Sequence, residues 1–227
     1  MDKPTSRAWI MFRSGNRLNL LDPSPNAWTD ADLATGLSRT YRWGGHSCWD
    51  LPLSVAQHSL TVLAIRRHLA PSPLSPGEAL RELLHDATEA LIGGFDPITP
   101  LKPHLGEGYA EINRRLQAAV NLRYDLPPWT VASHRHHKHA DRLAAASEAL
   151  HVVGWRKPAL RRDLGITLHP LDEDPLKVPA GMLPWEPWPA HLAAERFDET
   201  LRDIIRAKQK IVPAPGHIGY DRAAAAE

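Results

Sequence analysis

Apolar residues recur at three- and four-residue spacing through most of the chain, and the breaks in that rhythm mark its elements. Trp9 to Phe12 and Arg17 to Leu21 flank Ser14-Gly15-Asn16, the pattern of a short β-hairpin. Leu21 to Asn26 holds two prolines and reads as a turn, after which Asp30 to Ser38 predicts a helix capped by Thr29 or Asp30. Ser54 to Ala70 sets Val55, Val62, Ile65 and Leu69 on one stripe, with His58 among them. Pro71 to Pro76 is short enough to fold the next helix back antiparallel. That helix, residues 77–92, carries a broad apolar arc of Leu80, Leu83, Leu84, Ala87, Ala90 and Leu91.

Further on, Gly93 to Pro103 reads as a rigid, extended segment. Glu107 to Leu126 returns to helix with Ile112, Leu116, Ala119, Val120 and Arg123 in register, and Pro127-Pro128 precedes a long helix from Trp129 to Val153. Along one line of that helix lie His134, His137, Asp141, Ala145 and Glu148. Residues 154–189, rich in proline and tryptophan, predict an irregular strap, and Ala190 to Lys210 a helix with Leu192, Phe197, Leu201, Ile204 and Ile205 inward. There is no internal repeat. The expected architecture is all-α: a hairpin and turn over 1–29, a helical core over 30–153, a strap and last helix over 154–212, and a flexible tail over 213–227.

Composition narrows the classes. A chain of 227 residues is long enough for a sizeable core. Its 27 basic and 26 acidic residues leave a formal net charge of +1, which argues against nucleic acid as a partner. A single cysteine, Cys48, leaves no internal disulfide framework and suits a reducing compartment. With no membrane-length apolar run and no secretory pattern at the N-terminus, the expected location is the cytoplasm. The Trp and Leu content permits a homo-oligomer. The 13 histidines need individual weighing.

The chemistry centres on Arg81 to Leu91, where His85 and Asp86 stand side by side with Glu89 one turn on. An imidazole and a carboxylate at the edge of an apolar arc need partners, and a divalent cation would serve both. Most His-Asp dipeptides on helices are merely solvated, and a lone histidine such as His58 is more often bonded to a carbonyl. Here His58, His85, Asp86 and Asp141 come from three separate helices. Two imidazoles and two carboxylates suit Mn²⁺, Co²⁺, Mg²⁺, Fe²⁺ or Zn²⁺ and leave room for water and a substrate oxygen. Glu89 is then placed to orient that water or take its proton, and Asp96 follows close by. The glycine-centred loop Arg39 to His46 offers Arg39, Arg42, Trp43 and His46, while Lys102 and Lys138 add positive charge for a phosphate. The run His134 to His139 reads mainly as a polar, pH-sensitive helix face.

The order His58, His85-Asp86, Asp141 resembles the HD-domain superfamily of metal-dependent phosphohydrolases. Val55 to Ser59, Leu83 to Leu91, Pro97 to Lys102 and Lys138 to Asp141 look like its bacterial 5'-deoxynucleotidase branch and related phage dNTP triphosphohydrolases, over roughly residues 37–150. The resemblance implies an all-helical HD fold, a metal on His58, His85, Asp86 and Asp141, and Glu89 as catalytic acid or base. It also implies that Arg42-Trp43 holds the nucleotide. The branch has an acidic residue eight positions after the paired aspartate; here that position is Gly94, with Asp96 two residues further on. The expected substrate is a deoxynucleoside 5'-monophosphate, with a dNTP triphosphohydrolase as one alternative. A non-catalytic nucleotide-sensing module is the alternative of another class.

Overall fold

The computed structural model describes residues 7–211, so the tail expected over 213–227 lies outside the described residues. A two-stranded antiparallel hairpin opens the chain, β1 (Trp9–Met11) against β2 (Arg17–Asn19), with Ile10 opposite Leu18. Eight α-helices follow among the described residues: α1 (Asp30–Arg39), α2 (Val55–Leu69), α3 (Pro76–Leu83), α4 (Ala87–Leu91), α5 (Gly106–Tyr124), α6 (Val131–His151), α7 (Lys157–Leu164) and α8 (Ala190–Ile211). None is long and apolar enough to cross a membrane.

The helix starts follow from local chemistry. Thr29 caps α1 in a capping box with Asp32, and Asp32 also accepts from the Ser14 hydroxyl at 2.6 Å, which ties the hairpin to the bundle. Ser75 caps α3 with Glu78, ahead of Pro76 in the first turn. Thr130 caps α6 directly after Pro127-Pro128. The main core joins Trp28, Leu33, Leu37, Leu80, Leu83, Leu116, Phe197 and Leu201, drawn from α1, α3, α5, α8 and the turn before α1. Val62 and Ile65 of α2 meet Ala140, Leu143 and Ala144 of α6 in a second cluster. Alanines on the α6 side of that seam let the two helices, and with them His58 and Asp141, approach closely.

Four expectations need correction. The helix expected over 77–92 is broken: α3 ends at Leu83 and α4 starts at Ala87, with Leu84 and Asp86 near φ −100°, ψ +15° between them (−99/12 and −107/18). On an unbroken helix, neighbouring side chains diverge by about 100°. The break instead turns His85 and Asp86 to one point, with Nε2 and Oδ2 3.0 Å apart. Residues 93–103 are only partly extended, because Thr99–Leu105 form a 3-10 turn. The strap contains α7, whose proline lies in the first turn, where a missing N–H costs no bond. Leu69, expected inside, is 47% exposed in the last turn of α2.

The rest of the strap is pinned to the bundle. Gln57 donates to the Glu186 carbonyl at 3.1 Å and accepts from the Trp188 N–H at 2.8 Å. Ser147 accepts from the Leu171 N–H, and His151 stacks on Trp185.

Candidate metal centre

Three elements converge on one point. His58 and His85 each have one ring nitrogen fixed: His58 Nδ1 donates to Glu148 Oε1 at 2.6 Å, and His85 Nδ1 donates to the Glu82 carbonyl at 2.8 Å. Both Nε2 atoms therefore face inward, and both are buried with no hydrogen-bond partner. The nearby carboxylate oxygens, Asp86 Oδ2 and Asp141 Oδ1, come within 3.0–3.5 Å of them without hydrogen-bond alignment. Ligating atoms of His58, His85 and Asp141 all lie within 4.8 Å of one another. Asp86 adjoins this trio through His58 and His85.

Two buried imidazole nitrogens without partners, beside carboxylates, form a donor set that suits a divalent cation. A carboxylate or carbonyl behind each histidine is the usual buttress of a metal-ligating imidazole, since it fixes the tautomer. The residues present fit the ion. His58, His85 and Asp141 could hold it, with Asp86 at the edge.

The charge balance agrees. Among the described residues, the Lys and Arg partners of Asp86, Glu89, Asp96, Asp141 and Glu148 are Arg42, Lys102 and Lys138. Two positive charges are missing. In the metal-free protein two protons make up the deficit. Burial and Arg42 oppose the His58 imidazolium, yet Glu148 and Asp141 carry its pKa up to about 10. Burial, with Asp86 and Asp96, pushes the Glu89 carboxyl up to about 10, against Arg42 and Lys102. The other carboxyls move the opposite way. Burial works against the Asp86 anion, but His85 and His58 hold it far below the usual range. Burial also disfavours the Asp141 anion, but the neighbouring His58, His85 and Lys138 hold it far below the usual range. Glu148, despite burial, is drawn down to about 2 by His58 and Arg42.

The remaining expected residues divide into two groups. Glu89 is buried, its Oε1 accepting from Lys102 at 3.4 Å while its Oε2 has no partner. Asp96 reaches the site and accepts from Arg42 at 3.4 Å. Between Glu89 and Asp96, Gly93 and Gly94 both lie at positive φ, and the Glu89 carbonyl accepts from the N–H groups of Gly94 and Phe95. Arg42 Nε and the Trp43 indole N–H both donate to Glu148 Oε2, at 3.1 and 3.3 Å. That aim requires Trp43 at φ 57°, a strained conformation costing on the order of 1 kcal/mol. Lys138 donates to Asp141 Oδ2 at 3.0 Å. Arg39 and His46 are exposed and make no hydrogen bond or ion pair with these groups.

Two residues were not singled out from the sequence. Glu148 stands on the same α6 line as Asp141, and that alignment was its available signal. His137 is the one histidine of the 134–139 run that is buried. It donates to Glu82 Oε2 at 2.7 Å, and burial pulls its pKa down, so it is a core buttress and not part of a solvated face. Glu82 is also held by Arg66 at 2.9 Å.

Fold and site together define a mostly helical protein with a short N-terminal β-hairpin and a His/His/Asp cluster able to hold a metal ion. No protein-family model matches the chain. It is 40% identical over 179 residues to an uncharacterized protein of Rhodobacter capsulatus, covering 74% of this chain and 90% of that one. At that identity and coverage, the chain belongs to the family of the Rhodobacter protein.

Proposed function

We propose that this protein is an HD-domain, metal-dependent phosphohydrolase acting on nucleotides, with a deoxynucleoside 5'-monophosphate as substrate. The observation that carries the reading is the pair of orphaned Nε2 atoms of His58 and His85 beside Asp141, next to a buried carboxyl whose Oε2 is also unpartnered. A pure binding module has no need of that last group.

When bound, a divalent ion supplies Lewis acidity towards a phosphoryl oxygen and acidifies water. Glu89 Oε2 would take the proton of the attacking water as its oxygen bonds to phosphorus, and return it to the nucleoside oxygen as that bond breaks. Arg42, already held by Glu148 and Asp96, and Lys102 neutralise charge growing on the phosphoryl oxygens. Burial of the Arg42 side chain keeps that cation fixed and partly desolvated, so it costs little reorganisation in the reaction.

A second reading, a dNTP triphosphohydrolase, draws on a cavity of about 270 Å³ lined by Arg135, Lys138, His139 and Arg142 and closed by Gly165 to Leu168. Arg135, His139 and Arg142 make no ion pair among the described residues, so the cavity has positive charge to spare for a longer phosphate chain.

A screen of nucleoside mono- and triphosphates with Mn²⁺, Co²⁺ or Mg²⁺ tests the proposal. Phosphate release from a deoxynucleoside monophosphate is expected, with tripolyphosphate release from a dNTP marking the second reading. Asp86→Ala should abolish turnover, whereas Glu89→Ala should keep the cation and lose about 10²–10⁴ in rate. A metal-loaded protein that leaves every nucleotide intact points to a non-catalytic sensor.

A further inference from the structure

A second cavity of about 510 Å³ runs along the start of α6. Its size lies within the range of small-molecule pockets. His85 forms part of its wall, so it adjoins the ligand trio directly. The rings of His85 and His137 meet at 4.8 Å, those of His137 and Trp129 at 4.7 Å, and the Arg81 guanidinium lies 3.9 Å over Trp129. These contacts hold the Trp129 ring in the cavity wall. Arg81 is 5% exposed, anchored to the Pro127 and Pro128 carbonyls, and its buried Nε has no partner.

The cavity is also lined by a pair of amides one helical turn apart on α5. Gln117 Nε2 donates to Asn121 Oδ1 at 2.9 Å, which leaves Gln117 Oε1 and Asn121 Nδ2 unpaired among the described residues. Leu84 and Leu126 add apolar surface to the lining. An acceptor and a donor presented together, with an aromatic wall and aliphatic side chains, suit a flat heteroaromatic ring with hydrogen-bonding edges. The Arg39–His46 loop is less suited: Arg42 and Trp43 already spend donors on Glu148.

We propose that this cavity binds the nucleobase and sugar of the substrate, with Gln117 and Asn121 reading the base edge. The proposal rests on the phosphohydrolase reading for its ligand, but binding can be measured without turnover. Calorimetric titration of the metal-free protein with each of the four 2'-deoxynucleosides is the test, repeated on Asn121→Ala, Gln117→Ala and Trp129→Ala. Circular dichroism checks folding, and the two amides, at the surface of α5, keep the test valid where Trp129→Ala unfolds.

The expected result is binding of at least one deoxynucleoside to the wild type, weakened about tenfold or more by each amide substitution. In the metal-loaded protein, the ratio of kcat/KM between preferred and poor bases should flatten in the same variants. A merely structural role would not move that ratio. Deoxynucleosides that bind the amide variants as tightly as the wild type, or do not bind the wild type at all, overturn the assignment. Selective binding by a protein that hydrolyses no nucleotide overturns the phosphohydrolase reading instead and leaves the cavity assignment standing.

Discussion

His58 Nδ1 and Glu148 Oε1 are 2.6 Å apart, and through that contact a carboxylate on α6 sets the direction of a ligand nitrogen on α2. The same carboxylate receives Arg42 and Trp43, so one buried group orients a candidate metal ligand and fixes the Arg42 cation. Replacing Glu148 by Gln should lower affinity for Mn²⁺ or Co²⁺ by about 10–100-fold, the usual effect of losing such a buttress. Metal titration by calorimetry checks this. Unchanged affinity would show that His58 needs no support.

Proton linkage gives the second prediction. His58 and Glu89 both hold protons in the metal-free protein, with pKa values raised to about 10 from 6.5 and 4.5. A cation at the centre displaces them, so metal binding at pH 7 should release about two protons, and affinity should climb with pH. Both raised values also link to stability. The folded state binds these protons more tightly than the unfolded chain, from pH 4.5 upward for Glu89 and from pH 6.5 for His58. The metal-free Tm should therefore fall as pH rises from 6 to 9, and excess cation should remove most of that slope. Calorimetry in buffers of different ionisation enthalpy counts the protons.

Beneath the centre, Glu82 is fully buried between Arg66 and His137. Burial favours its neutral form, but His137 and Arg66 outweigh it and bring the pKa below 4.5. A depressed carboxyl contributes stability above its unfolded pKa and loses it as pH falls through the folded one. Glu82→Gln should cost about 3 kcal/mol at pH 7, because it leaves Arg66 uncompensated. That gap to wild type should narrow below pH 4.5, as read by denaturant unfolding. A gap constant down to pH 3 would contradict it.

Packing of α1 against α4 gives a prediction of a different kind. A Cβ on Gly36 would meet Ala90 Cβ at 2.9 Å, too close for an ordinary contact. Alanine gains about 1 kcal/mol in helix propensity, but overpacking costs about 1–3 kcal/mol. Gly36→Ala should thus lose roughly 1 kcal/mol net and push α4, with Glu89, outward. Adding Ala90→Gly should restore the Tm; a single variant more stable than wild type would refute the packing argument.

Much of this was legible in the sequence because periodicity and residue type carry it. The apolar stripes located α2, α5, α6 and α8, and residue type and order singled out His58, His85 and Asp141, whose ligating atoms lie within 4.8 Å of one another, with Asp86 beside them. What periodicity cannot register is backbone direction. The apolar arc over 77–92 continues unbroken across Leu84 to Asp86, although the backbone does not, and that break is what brings His85 and Asp86 together. Pairings across long separations, His58 with Glu148 or Glu82 with His137, left only an alignment on one helix face as their trace. The density of prolines between 154 and 189 concealed α7.

Metal binding itself is the most direct measurement. Titrating the chelator-treated protein with Mn²⁺ or Co²⁺ should give one ion per chain, and a folded His58→Ala/Asp141→Ala double variant should bind none. A wild-type protein that takes up no ion, or a double variant that binds it equally well, would contradict a centre built on His58, His85 and Asp141.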